Sequence, residues 1–187
     1  MTYIILSCSL NQSSFGDKIG EYIAKKHSDF ELISIKGCDL GLCDGFDGNA
    51  FDNPKVLALQ KKLEASSGVI LIAPIYNFDV APSCQNLLDL LSKPYKDILS
   101  GKSLYHKTIG FIGTCYFSNC YLAPLHFLTK IMLVHEAFIV PKHVMAKRDD
   151  PEIKYARCVD KLVESFLQMS LALQDVDAHL APSSDSQ

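Results

Sequence analysis

Small polar side chains, Ser9, Asn11 and Ser14 among them, crowd one short stretch near the N-terminus, Leu6-Ser7-Cys8-Ser9-Leu10-Asn11-Gln12-Ser13-Ser14-Phe15-Gly16-Asp17. The apolar run Tyr3-Ile4-Ile5-Leu6 reads as a strand feeding this stretch. Behind it Phe15, Ile19, Tyr22 and Ile23 recur at the spacing of one helical face. Ser14 is a good N-cap, and Asp17 three residues on completes a capping-box-like pair. A turn of this make-up can aim several N–H and O–H donors at one spot, where the helix dipole adds partial positive charge. Such a spot suits a phosphate. The competing reading is a capped helix start that binds nothing, since caps are far commoner than ligand sites. The stretch has no P-loop lysine and no G-x-G-x-x-G, which argues against ATP and against a Rossmann-type dinucleotide.

Other reactive side chains form no site by spacing alone. The 7 cysteines are Cys8, Cys38, Cys43, Cys84, Cys115, Cys120 and Cys158, an odd number without a leader-like N-terminus, which predicts reduced thiols. Cys38/Cys43 and Cys115/Cys120 lack the C-x-x-C gap of zinc ribbons, so no metal is expected. His126 and His135 do not share a helix face, and His106 and His143 have no carboxylate or cysteine at ligand spacing. Asp39, Asp44, Asp47 and Asp52 lack the spacing and terminal Glu of an EF-hand and read as solvated. No acid–base catalytic residue is nominated.

The elements that must position the first stretch follow from the rest of the chain. Its 187 residues suit one domain, taken as residues 1–180, with 181–187 a small polar tail expected to be disordered. Net charge is −3 with no basic stripe, so nucleic acid is not an expected partner. The most apolar later region, Leu122 to Pro141, is broken by His126, Lys130, His135 and Glu136 and predicts no membrane span. A cytoplasmic protein is expected. Phe30 to Ile35 predicts a second strand, and Lys36 to Asn53 a long loop, functional or mobile. Pro54 starts a helix carrying Val56, Leu59 and Leu63. Val69-Ile70-Leu71-Ile72-Ala73 predicts a central parallel strand covered on both faces. It ends in a turn, Pro74 to Asp79, before a helix through Cys84, Leu87, Leu88 and Leu91 that closes near Pro94. Thr108 to Gly113 predicts a fourth strand with Thr114 to Cys120 as its exit loop. A helix through Leu125, Leu128 and Met132, a short fifth strand Ala137 to Val140, and a helix through Val159, Leu162, Val163 and Phe166 complete the chain. Alternating strands and helices predict an α/β three-layer sandwich, a five-stranded parallel sheet with helices on both faces. Ligands bind such sheets outside the carboxyl ends of the strands, near the switch point.

Those strand-end loops together resemble the NADPH-dependent FMN reductase family, of flavodoxin-like fold. The family pattern at the first loop is roughly G-S-x-R-x-x-S-x-N, and Cys8 to Gly16 keeps both serines, Ser9 and Ser14. The family's P-x-Y-N turn and following N-x-x-D are matched by Pro74, Tyr76 and Asn77, then Asn86 and Asp89. The resemblance covers roughly Tyr3 to Val140. It implies bound FMN as cofactor, with Ser9, Asn11, Ser14, Phe15 and Gly16 at the phosphate. Pro74, Ile75, Tyr76, Asn77 and Phe78 would lie at the ring, with Thr114, Cys115 and Tyr116 from the loop after the fourth strand. NADPH or NADH would donate hydride, and a small molecule such as a flavin or quinone would accept the electrons. A homodimer or homotetramer is implied, with apolar helices such as Cys84 to Leu91 making the contact. The chain departs from the pattern in three places: Asn11 stands for the usual Arg, Phe78 for a common glycine, and Tyr116-Phe117 for glycines. Two other readings stand beside this oxidoreductase, a flavodoxin-like electron carrier and a flavin-free binding domain that kept the fold.

Overall fold

The computed structural model describes residues 1–43, 49–92, 103–116, 123–149 and 152–180. Chain order is β1 (Tyr3–Ser7), α1 (Phe15–Lys26), β2 (Phe30–Ser34), a 3-10 turn (Asn49–Asp52), α2 (Pro54–Ala65), β3 (Gly68–Tyr76), β4 (Asp79–Val80), α3 (Pro82–Ser92), β5 (Thr108–Cys115), α4 (Ala123–His135), β6 (Phe138–Ile139), β7 (Val144–Lys147) and α5 (Glu152–Leu180). The expected parallel strands run β2-β1-β3-β5-β6, so strand order reverses between β1 and β3. Loops leaving those two strands part there and open a crevice.

Alternation along the strands assigns side chains to two cores. Ile4, Leu6, Val69, Leu71, Ala73, Ile109 and Phe111 face one way, against Leu59 and Leu63 of α2, Leu87 and Leu91 of α3, and Phe127 and Ile131 of α4. Tyr3, Ile5, Ile70, Ile72 and Ile112 face the other way, against Ile19 and Ile23 of α1 and Val159, Leu162 and Phe166 of α5. The three-layer sandwich is therefore as expected. Gly68 supports this second layer: a Cβ there would lie 2.7 Å from the Phe166 ring and 3.0 Å from the Thr108 carbonyl.

Two strands lie outside the sequence reading. β4 turns back on β3 as an antiparallel pair, so the segment read as a turn from Pro74 is strand as far as Tyr76. β7 continues the sheet edge where β6 stops. β6 pairs Ile109 with Ile139 and β7 pairs Ile112 with Val144, so three steps along β5 match five along the edge. Pro141, which has no N–H to give the ladder, lies in the interruption.

The long loop after β2 is held down on both of its described sides. Leu40 and Phe51 enter the first core. The Asn86 carboxamide accepts from the Cys43 N–H at 2.8 Å and donates to the Gly41 carbonyl at 2.8 Å. Asn86 is thus a clamp on that loop. Pro94, Cys120 and the 181–187 tail lie outside the described residues.

Candidate functional site

The first loop is built from its own side chains. Ser9 Oγ accepts from the Asn11 N–H at 3.2 Å, and Asn11 Oδ1 accepts from the Ser13 N–H at 3.0 Å. Ser14 caps α1, its Oγ accepting from the Asp17 N–H at 3.0 Å. The Ser9 and Ser14 oxygens are occupied as acceptors, which leaves their O–H protons to donate outward. Phe15 and Gly16 open the helix with N–H groups that have no intrahelical acceptor. A Cβ on Gly16 would come within 3.1 Å of Ile72 Cγ2 and 3.2 Å of Ser7 Oγ, so glycine lets the helix start sit low on the sheet. This donor set fits a phosphate and offers an anion nothing but neutral groups.

Asp17 does not complete the capping box. Its carboxylate turns inward, accepting from Ser7 Oγ at 2.5 Å, Ser34 Oγ at 3.1 Å and Lys36 Nζ at 2.9 Å. Burial pushes its pKa up, but the bonds from Ser7, Lys36 and Ser34 outweigh burial and hold it below the ordinary 3.8. Lys36 also reaches the Gln12 carbonyl at 3.4 Å, tying the loop to this buried carboxylate. Sequence spacing could not reveal the network, because Ser7, Ser34 and Lys36 meet only through β1–β2 pairing.

The β3 loop is a two-residue hairpin with Tyr76 opposite Asp79 and Asn77 and Phe78 at its tip. Both tip residues have positive φ, 49° and 65°, which is the twist a tight hairpin of this hand requires. Pro74, Ile75 and Tyr76 face the crevice, whereas Asn77 and Phe78 do not line it. Phe78 projects into solvent, 71% exposed.

The third wall is Thr114, Cys115 and Tyr116 at the end of β5. Beyond it comes a residue the sequence reading missed. The Arg148 N–H donates to the Cys115 carbonyl at 3.0 Å, extending the β7 pairing, and its guanidinium donates to the Tyr116 phenol oxygen and lies 5.3 Å from that ring's centre. The available signal was the alternation Val144-Met145-Ala146-Lys147 just before it, a strand pattern close to Pro141. Together these segments line an open cleft at the carboxyl ends of β1, β3 and β5. Ser9, Asn11, Ser14, Phe15, Pro74, Ile75, Tyr76, Thr114, Cys115 and Tyr116 are brought together there, with Ser13 and Arg148 added.

The remaining reactive groups stand apart. No disulfide joins the described cysteines. Cys84 lies in the first core beside Cys8, and that sulfur together with burial pushes its thiol well above the usual range, so it is a poor nucleophile. His106 does meet a carboxylate, Glu136 at 3.6 Å, across the surface, a contact its sequence spacing hid.

The family model for NADPH-dependent FMN reductase matches residues 1–150. A curated relative, the NAD(P)H-dependent FAD/FMN reductase of Geobacillus thermodenitrificans, is 26% identical over 162 residues, 81% of this chain and 80% of the relative. Among solved structures, the flavoenzyme NAD(P)H:(acceptor) oxidoreductase FerB of Paracoccus denitrificans superposes with TM-score 0.63 at 22% identity, covering 93% of this chain and 95% of that one. An NADH:FMN oxidoreductase superposes with TM-score 0.66 at 17% identity, covering 91% and 89%. The strand order, the hydroxyl-rich first loop and a family match spanning most of the sheet lead to one assignment: the chain belongs to the NADPH-dependent FMN reductase family, oxidoreductases that use FMN and a nicotinamide donor.

Proposed function

We propose that FMN binds in the cleft with its phosphate against Ser9, Asn11, Ser14 and the first N–H groups of α1, at Phe15 and Gly16. Its ring lies across Pro74, Ile75 and Tyr76 and meets Thr114, Cys115 and Tyr116, with Asn77 and Phe78 at the rim. The observation that carries this reading is the first loop: two serine oxygens accept from the Asn11 and Asp17 backbone N–H groups and keep their protons for an anion at a helix start. Bound there, FMN supplies a two-electron carrier between NADPH or NADH and a flavin- or quinone-type acceptor. No described residue lining the cleft is a carboxylate, histidine or lysine. The chain's part is therefore placement: donors fix the phosphate, while Tyr76 and Tyr116 wall the ring and limit water.

Stopped-flow mixing of the flavin-loaded protein with NADPH and with NADH should bleach the flavin band. Bleaching by dithionite but by neither nicotinamide would replace this reading with the electron carrier. Ser9→Ala should weaken FMN about ten- to a hundredfold, the loss of one hydrogen bond to a charged group, and leave riboflavin unchanged.

We extend the proposal to a cytoplasmic homodimer. The expected contact helix is corrected: Cys84, Leu87, Leu88 and Leu91 of α3 are consumed in the chain's own core. The exposed apolar residues Leu125, Met132, Leu133 and Val134 of α4 support that helix as the contact instead. No helix among the described residues is long and apolar enough to cross a membrane.

A further inference from the structure

We propose that Arg148 is the cation that completes the phosphate site, reaching it from the opposite wall of the cleft. The inference rests on the reading that the first loop holds the FMN phosphate. It begins with charge. A phosphate monoester carries about −1.5 to −2 at neutral pH. Ser9, Asn11, Ser13 and Ser14 are neutral. Lys36, the lysine tied to that loop, is neutralised by Asp17 at 2.9 Å. The chain's only arginines are Arg148 and Arg157, and Arg157 is an exposed residue of α5. Of the described residues lining the cleft, Arg148 alone is cationic.

Placement supplies the second argument. α5 runs alongside α1 in the same direction: Tyr155 packs edge-on against Phe15 at 5.4 Å, and one turn further along Asp160 bonds Tyr22 at 3.0 Å and Lys26 at 2.8 Å. Both helix starts therefore lie at the same end of the sheet. Arg148 occupies the connection from β7 into α5 and lines the same cleft as Ser13, Ser14 and Phe15. The third argument is orientation. The Tyr116 ring and phenol oxygen hold the guanidinium by one face and one N–H, which leaves further donors of the five for a phosphate. A guanidinium restrained in this way loses little freedom when it meets an anion. Tyr116 acts here as a positioning residue.

Titration of the full chain with FMN and with riboflavin, followed by flavin fluorescence at two salt concentrations, tests this with Arg148→Gln, Arg148→Lys and Ser9→Ala. Arg148→Gln should weaken FMN about ten- to a hundredfold, leave riboflavin unaltered and flatten the salt dependence of FMN binding. Arg148→Lys should keep part of the affinity, since a lysine retains the charge without the fork. Thermal melting without flavin checks that each variant is folded, and the Lys variant serves if the Gln variant is not. A wild type that binds FMN and riboflavin equally, with Ser9→Ala indifferent, removes the underlying reading. A wild type that prefers FMN, loses that preference in Ser9→Ala and keeps it in Arg148→Gln removes the role of Arg148 alone. Equal weakening of both flavins, or a change confined to NADPH against NADH, also overturns it.

Discussion

Replacing Phe78 by glycine should stabilise the protein. Phe78 has φ 65° at the tip of the β3–β4 hairpin, a conformation that costs a residue with a Cβ about 1–2 kcal/mol. Its ring is 71% exposed, so little burial is lost with it. Against the relief stands the extra freedom of a glycine in the unfolded chain, about 0.4–1 kcal/mol. The balance favours Phe78→Gly by about 0.5–1 kcal/mol, and Asn77 then precedes glycine, the preferred pair for this turn. For a chain of this size that is about 1–4 °C in Tm. Thermal and urea unfolding without flavin would measure it, with Phe78→Ala as the control. Alanine removes the ring but keeps the strain, and should leave Tm about where it is. A lower Tm for Phe78→Gly would show that the ring is packed and not merely displayed, and would refute the argument.

Three further outcomes are expected. The Asp17 carboxylate, held below 3.8 in the fold, contributes stability that is complete above its unfolded pKa and is lost as pH falls through the lower folded value, so urea midpoints should drop in acid and Asp17→Asn should flatten that drop while costing about 1.5–3 kcal/mol at pH 7. An unchanged acid profile for Asp17→Asn would place the acid sensitivity elsewhere. Asn86→Ala releases the Cys43 and Gly41 backbone and should cost about 1–2 kcal/mol, with faster amide exchange at Cys43; unaltered exchange would show that the clamp is redundant. Light scattering at micromolar concentration should give about twice 20.7 kDa, and Leu133→Lys should halve it; a wild-type monomer ends the dimer proposal.

Local pattern determined much of this protein. The unbroken apolar run at Val69 to Ala73 read as a strand covered on both faces, and the 3.6-residue recurrence of Ile19 and Ile23 as a helix lying on one, and both are so. Ser14 before Phe15 marked the start of α1, and the serines of the first loop together with Pro74 and Tyr76 marked the walls of the cleft, because strand ends at a switch point must meet. Tertiary structure decided the rest. Asp17 reads locally as half of a capping box, yet β1–β2 pairing delivers Ser7, Ser34 and Lys36 to it, and three charge-assisted bonds outweigh one local return bond. Val144 to Lys147 is too short to be read as a strand by itself. It pairs because the edge of β5 left open beyond Ile109 needs hydrogen-bond partners, and that pairing carries Arg148 into the cleft. The leucines of α3 looked free for a partner until the fold consumed them, whereas Leu125 and Leu133 of α4 stayed outside. One-dimensional periodicity reports that a face is apolar; what covers that face is settled by the packing of elements distant in the chain.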